Sequence, residues 1–320
     1  MPRPFDVAGF GAVAIDTIIR TEGVLGDGKG RVRERREAHG GNVATGLAAV
    51  ASLGGRAAFL GALSEDPDSR KAADALKDAG VDISLAAHVA GARPILSTIV
   101  VDAHGDRFIA FDDADFRRAA PVFTDAALLS ASVLLVDGFA SAHLSAVRRA
   151  QESGALIVGD IERSFGTAGE ELIALCDHIN VPRSFAVAHT GCASIEDAAD
   201  AMWNETRRSV VVTDGASGGV LIHRDDRTPR PLPTFDVQVV DTTGAGDVFN
   251  GAFALSIARG EGPADAAQFA AAAAAISVTG LGGRGALLSE AACRALLSSV
   301  SPPTDTSHPG PPDGGSWPQR

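Results

Sequence analysis

The chain reads as an α/β protein, with a central, mostly parallel sheet flanked by helices on both faces and a small β-sheet lid. Three observations lead there. Short apolar strands at Val133–Val136, Leu156–Val158, His178–Val181 and Val210–Thr213 alternate with Ala-rich helical stretches, the rhythm of βαβ units. The segment Arg20–Glu37 is charged and Gly-rich, too polar for a central sheet and suited to an exposed strand pair or lid. Across 320 residues, 45% hydrophobic against 21% charged is a globular balance that rules out extended disorder and collagen-like repeats.

Val7-Ala8-Gly9-Phe10-Gly11, continued by Ala12-Val13-Ala14-Ile15, predicts a buried first strand. After the polar segment, Asn42 is placed to N-cap a helix with Val43, Leu47 and Val50 on one face, ended by Gly54-Gly55. A strand at Ala57–Leu60 and a helix at Ser69–Ala79, stopped by Gly80, follow. Ile95–Val101 and Arg107–Phe111 predict a hairpin across residues 102–106. The regular strand–helix alternation then takes over. Ser301–Arg320 is dense in Pro, Gly and Ser and predicts a disordered tail behind one domain spanning residues 1–300, with lid segments at about 17–38 and 93–113.

Forty acidic against 28 basic residues give a net charge of −12, which repels phosphate backbones and anionic lipid and argues against nucleic-acid and membrane partners. Three scattered cysteines, Cys176, Cys192 and Cys293, form neither a disulfide framework nor a zinc site. The N-terminus shows no secretory pattern, and the longest apolar stretch, Phe269–Val278, is too short for a bilayer. A soluble, cytoplasmic protein is expected.

Three Gly-rich segments compete as a phosphate site. Gly9-Phe10-Gly11-Ala12-Val13-Ala14 follows a strand, but the helix and acidic strand end of a dinucleotide fingerprint do not come next, so close packing is the better reading. Gly23–Gly30 has Gly30 where a P-loop needs Ser or Thr after Lys29, and no amphipathic helix follows. The strongest is Val239-Val240-Asp241-Thr242-Thr243-Gly244-Ala245-Gly246-Asp247-Val248-Phe249, read as an apolar strand end, a Gly-Ala-Gly turn and a helix with Phe249 and Phe253 on one face. Backbone N–H groups of Gly244, Ala245 and Gly246 at a helix start, where the dipole is positive, suit a transferring phosphoryl group. Asp247 in the first turn is placed to take a hydroxyl proton.

At these residues the chain resembles the ribokinase/PfkB family of carbohydrate kinases. Gly40-Gly41-Asn42-Val43-Ala44 resembles the N-terminal signature and Asp241–Asp247 the C-terminal one. The resemblance implies a ribokinase-like α/β domain whose lid often serves as a dimer clasp, and ATP- and Mg²⁺-dependent phosphorylation of a sugar hydroxyl. It implies Asp247 as catalytic base, the Gly244–Gly246 amides as anion hole, and Asp16, Gly41 and Asn42 as sugar contacts, with Lys29 and Arg107 on the lid as further candidates. Thr213, Gly215, Gly218 and Thr243 match nucleotide-binding positions. Asp241, Thr243, Ser277 and Gly282 match positions where some members bind K⁺.

The chain also departs from the family. Many members carry an Asn-x-x-Glu motif for Mg²⁺; the matching stretch here is His178–Phe185, where Asn180 and Arg183 have the spacing without the Glu and the motif itself falls on Pro182 and Phe185. A second Asn of the sugar-binding helix is Thr45. Gly40-Gly41-Asn42 and Gly159-Asp160-Ile161-Glu162-Arg163 resemble ketohexokinase-like members, while the residues around Lys29, Val239–Asp247 and Gly282-Gly283-Arg284 resemble sulfofructose kinases. A neutral ketose or pentose is preferred as acceptor. A nucleoside, a sulfo-sugar or a sugar acid stays open, as do a non-catalytic sugar or nucleotide sensor and, from Gly9–Ala14, a nicotinamide oxidoreductase.

Overall fold

The first apolar run makes two strands where one was expected. Strand β1 (Phe5–Phe10) ends at Gly11, and β2 (Ala14–Thr21) begins a different sheet. The Asp137 carboxylate forces the break: it accepts the N–H of Ala12 at 2.6 Å, and a Cβ on Gly11 would lie 2.6 Å from it. The computed structural model describes residues 3–26, 28–104, 107–286 and 288–299, with Arg107 described by its backbone alone. The expected tail, 301–320, and the hairpin residues 105–106 lie outside the described residues.

In chain order, β3 (Val32–Gly40) leads into helix α1 (Asn42–Ser52), followed by β4 (Ala57–Phe59), β5 (Ala62–Leu63), α2 (Pro67–Asp78) and β6 (Ala87–His88). Next come β7 (Ile95–Val101), β8 (Arg107–Asp112), the short helices α3 (Ala114–Arg118) and α4 (Asp125–Leu128), and β9 (Ala131–Asp137). Then α5 (Leu144–Glu152), β10 (Leu156–Asp160), α6 (Gly166–Leu175), β11 (His178–Pro182), α7 (Arg183–Thr190), α8 (Ile195–Ala201) and β12 (Ser209–Thr213) complete the regular alternation. Strands β13 (Gly219–His223) and β14 (Asp226–Pro231) precede α9 (Ala245–Ala258), α10 (Pro263–Ser277) and α11 (Glu290–Ser299).

The main sheet has the order β14-β13-β12-β11-β10-β9-β1-β4, parallel from β12 to β4 and antiparallel at β13 and β14. Its strands are apolar on both sides. Val7, Val133, Leu135, Val158 and Val211 join the core under α1, α9 and α10, while Leu134, Val136, Ile157, Ile179 and Val210 join the core on the opposite face. That two-residue alternation between two buried cores is what a parallel sheet covered on both faces requires. Val239-Val240, expected as a strand end, is irregular and half-exposed, although the N–H groups of Val240 and Asp241 both reach Val278 O.

The small sheet, ordered β3-β2-β7-β8, stands apart from the main one. Its outer strand β8 exposes Phe108, Ile109 and Phe111. Helix α1 begins differently from expectation. Gly41, with φ of 92°, is the N-cap because a Cβ there would lie 2.5 Å from Ala12 O; Asn42 becomes the first helical residue and its side chain is released from capping. Helices α1 and α9 touch through glycines, since a Cβ on Gly251 would collide with Gly46 O. No helix among the described residues is long and apolar enough to cross a membrane.

Candidate active site

In the main sheet, β1 is flanked by β4 on one side and β9 on the other, so chain order reverses there. Open α/β sheets bind ligands at the carboxyl ends of strands beside such a reversal. Asp137 ends β9, Asp160 ends β10 and Thr213 ends β12, and the middle of β11 supplies Asn180. The start of α9 faces them. Asp160, Glu162, Asn180, Gly246, Asp247 and Asn250 line one pocket of about 80 Å³.

Gly244 caps α9 with φ of 76°, the conformation a side chain would resist, and Asp247 follows in the first turn. The first N–H groups of a helix lack intrahelical acceptors. Val248 N–H is already bonded to Gly244 O at 2.9 Å, and Ala245 N–H turns back to Thr242 O at 3.4 Å. Space beside Gly246 is open, with no atom within 4 Å of where a Cβ would stand. Thr45 does not substitute for a sugar-binding Asn: it is buried behind the turn with its methyl 3.4 Å from a Cβ on Gly244.

The other side chains come from three directions. Asn42 Nδ2 donates to Asp160 Oδ2 at 3.3 Å, and Asn180 Nδ2 donates to Asn250 Oδ1 at 2.9 Å. Asp16 on β2 sits so close to Gly40 that a Cβ there would strike its carboxylate. From the loop after α10, Arg284 Nη2 reaches Gly40 O at 3.5 Å, and its buried Nε has no hydrogen-bond partner. Sequence reasoning missed Arg284 as a site residue, and with it Asp137; it used Asp160 and Glu162 only to place the chain among relatives. The available signal was a carboxylate ending each apolar strand, as in Leu134-Leu135-Val136-Asp137.

Crowded carboxylates shift one another. Burial, with the charges of Glu162 and Asp137, pushes Asp247 up to about 7 against the pull of Arg284. Burial also raises Asp137 to about 7, opposed by the N–H groups of Ala12 and Phe139. Asp160 is held well above the usual carboxylate range by burial and by Asp247. Burial raises Asp16, with Ser97 and Arg284 opposing. Burial lowers Arg284 to about 10 while Asp247 and Asp16 support its charge. A carboxylate near 7 beside orphan helix N–H groups is poised for proton abstraction next to a developing anion.

Residues 5–290 match the pfkB family of carbohydrate kinases. The chain belongs to that family. Fructokinase-1 of Oryza sativa subsp. japonica is 32% identical over 322 residues, spanning 92% of this chain and 98% of its own length. A candidate ribokinase from Agrobacterium tumefaciens superposes with a TM-score of 0.83 at 27% identity, over 92% of this chain and 97% of that one. A fructokinase with bound ATP from Xylella fastidiosa gives a TM-score of 0.76 at 23% identity, over 92% of this chain and 98% of that one.

For this pfkB member, the other positions implied by resemblance divide into three groups. Thr213 and Gly215 line an open groove of about 610 Å³ with Pro182, Arg183 and Asp214, and Thr213 and Pro182 also line the carboxylate pocket. Gly218 forms the adjacent turn, with φ of 85°. Lys29 follows β2 in the loop to β3, and Arg107 begins β8; both lie at the end of the small sheet remote from Asp16, five residues and about 16 Å along β2. The structure does not bring them to the pocket, and the Arg107 side chain lies outside the described residues.

Asp241, Thr243, Ser277 and Gly282 do converge, but their donors are engaged. Asp241 Oδ1 accepts from Thr243 N at 2.9 Å and Thr243 Oγ1 at 2.7 Å, and Oδ2 accepts from Gly282 N at 3.0 Å. The carbonyls of Ser277 and Gly282 accept from Gly280 and Gly285. Arg36 Nη2 stands 3.6 Å from Asp241 Oδ2, so the carboxylate charge is already met by a guanidinium, which would repel a second cation placed there. The set does not fit an added monovalent ion. For Mg²⁺, the Asn-x-x-Glu route is closed: Asn180 is tied to Asn250, Arg183 pairs with Asp214 at 2.8 Å, and Phe185 is buried. Glu162, exposed at the pocket mouth, fits as a hard oxygen donor, and no group of three His, Cys, Asp or Glu among the described residues could hold a metal alone.

Proposed function

We propose that this pfkB member transfers the γ-phosphoryl group of ATP to a primary hydroxyl of a neutral ketose or pentose. The observation that carries the reading is Asp247 in the first turn of α9, beside the Gly244–Gly246 cradle and across the pocket from Asp160. The acceptor hydroxyl gives its proton to Asp247 as its oxygen attacks. The N–H groups at the helix start stabilise charge gathering on the transferred phosphoryl oxygens. Asn42, Asp160 and Asp16 orient the remaining hydroxyls, since carboxylates and amides accept from and donate to them directly.

Charge supports a neutral acceptor. The charges of Glu162, Asp137, Asp247 and Asp16 raise the pKa of neighbouring carboxyl groups in the pocket, and Arg284, Arg163 and His39 are the cationic groups that oppose them. A sugar carrying its own anion would meet that excess. The fructokinase name of the rice relative favours a ketose. The groove at Thr213 and Gly215, continuous with the pocket, suits the nucleotide. Glu162 would hold Mg²⁺ largely through its waters, and the ion would neutralise phosphate charge when bound. Exposed Phe108, Ile109 and Phe111 on β8 favour a second copy of the chain as partner through the small sheet, which sedimentation analysis would test.

A coupled ADP-release assay over ketoses, pentoses, sugar acids and nucleosides tests the reading. Fructose or a pentose should lead, and Asp247→Ala should lower kcat about a thousandfold with sugar binding kept. Sugar binding without ADP release would leave a sensor instead, and a nucleoside optimum would reassign the acceptor.

A further inference from the structure

We propose that Arg36, carried on β3 of the small sheet, is the resident cation of the loop that forms the phosphoryl cradle, so that catalysis needs no bound monovalent ion and the small sheet and cradle become ordered together. The proposal rests on the kinase reading. Asp241 ties two segments: one oxygen fixes Thr243, the residue before Gly244, and the other holds Gly282 N–H. Gly283 in turn packs directly under Gly244, close enough that a Cβ there would lie 2.6 Å away. The geometry of the cradle therefore depends on an anionic Asp241 held in one place.

Arg36 supplies the compensating charge from another part of the molecule. Its guanidinium is 3.6 Å from Asp241 Oδ2, with the two side chains only 23% and 15% exposed, and it lies 3.9 Å from where a Cβ on Gly282 would stand. In the small sheet Asp16 opposes Ala38 and Ile18 opposes Arg36. Opposed residues share a face, as do residues two apart, so Asp16 and Arg36 project from the same face. The small sheet therefore carries both Asp16, at the pocket, and Arg36, at Asp241. Arg36 is thus a positioning residue, acting on the transferred group through Asp241 and the Thr243–Gly244 turn.

The test uses the full chain, its Arg36→Gln and Arg36→Lys variants, and buffers in which the cation is K⁺ or tetramethylammonium. Wild-type kcat and melting temperature should be the same in both buffers, with kcat within about twofold. Arg36→Gln should lose about tenfold in kcat, as expected for breaking a half-buried ion pair, and should regain much of it in K⁺, with K⁺ now raising its melting temperature. Arg36→Lys should fall between the two. Strong activation of the wild type by K⁺, an unimpaired Arg36→Gln, or an impaired one that K⁺ does not restore would each overturn the proposal. If Arg36→Gln does not fold, the Lys variant and the wild-type cation comparison still decide. A wild type that phosphorylates no sugar would fail the kinase reading, while the melting comparison would still judge Arg36.

Discussion

Replacing Asp247 by Asn separates what the site costs the fold from what it contributes to chemistry. In the folded chain, burial and the charges of Glu162 and Asp137 hold Asp247 at about 7, against 3.8 as its ordinary value. Between those values the native chain keeps a proton that the unfolded chain has released. Stability therefore falls as pH rises through this window and stays reduced above about 7. Three pKa units correspond to about 4 kcal/mol. The pull of Arg284 is already contained in that shift; relaxation and water penetration around a buried carboxylate reduce the penalty to about 1–3 kcal/mol. Asn carries no charge at any pH and escapes the penalty. Asp247→Asn should melt on the order of 5 °C above wild type at pH 8, with the gap closing towards pH 4, while kcat falls about a thousandfold. Calorimetry from pH 4 to 8.5 without Mg²⁺, alongside the ADP-release assay, measures both. A variant that melts no higher at pH 8, or by a margin that ignores pH, refutes the account of the buried charge; undiminished turnover refutes the base.

Because Asp247 must be ionised to accept a proton, kcat/KM should fall below about pH 7. Arg284→Gln should move that acid limb to higher pH, since Arg284 lowers the Asp247 pKa, and an unmoved limb in a pH–rate profile would exclude the contact. Gly251→Ala drives a methyl group into Gly46 O and should cost about 1–3 kcal/mol in urea unfolding. It should also raise KM for the sugar, because Asn42 and Asp247 ride on the two helices forced apart. Asp137→Ala strands the N–H groups of Ala12 and Phe139, which Asp137 accepts at 2.6 and 3.0 Å, and should cost about 2 kcal/mol by the same measurement at pH 4, where the buried carboxyl carries no charge penalty.

The parallel strands from β9 to β12 were legible because each is a short run of Val, Leu and Ile bounded by turns, and both faces of such strands are apolar. The break at Gly11 was not. Nothing within Phe10-Gly11-Ala12-Val13 marks it; the cause is the Asp137 carboxylate, 126 positions further on. The N-cap of α1 failed for a similar reason. Asn is a good cap by propensity, but the approach of Ala12 O leaves room only for glycine at the preceding position, and the chain starts its helix there. Val239-Val240 looked like a strand by composition, yet β14 closes its edge of the main sheet with β13 alone, and no neighbouring strand takes the valines up.

The site was legible where its chemistry is local and obscure where it depends on strand order. Asp247 and its glycines lie within one turn, so their pattern survives in the linear sequence. Asp137 and Asp160 become neighbours only because β9 and β10 pair in parallel register, with Asp160 opposite Asp137. Arg284 arrives from after α10, and Arg36 from β3, an edge strand of the small sheet. These late arrivals answer a problem that the local motif leaves open. Several carboxylates surround the place where an anionic phosphoryl group must be received, and helix N–H groups alone act on it as partial charges that fade within one turn. The Arg284 charge near Asp247 and Asp16, and the Arg36 charge at Asp241, oppose part of that excess. On the proposed reading, such an arrangement receives negative charge at the phosphoryl end and hydroxyls elsewhere, and an assay in which a sugar acid outpaced every neutral sugar would refute it.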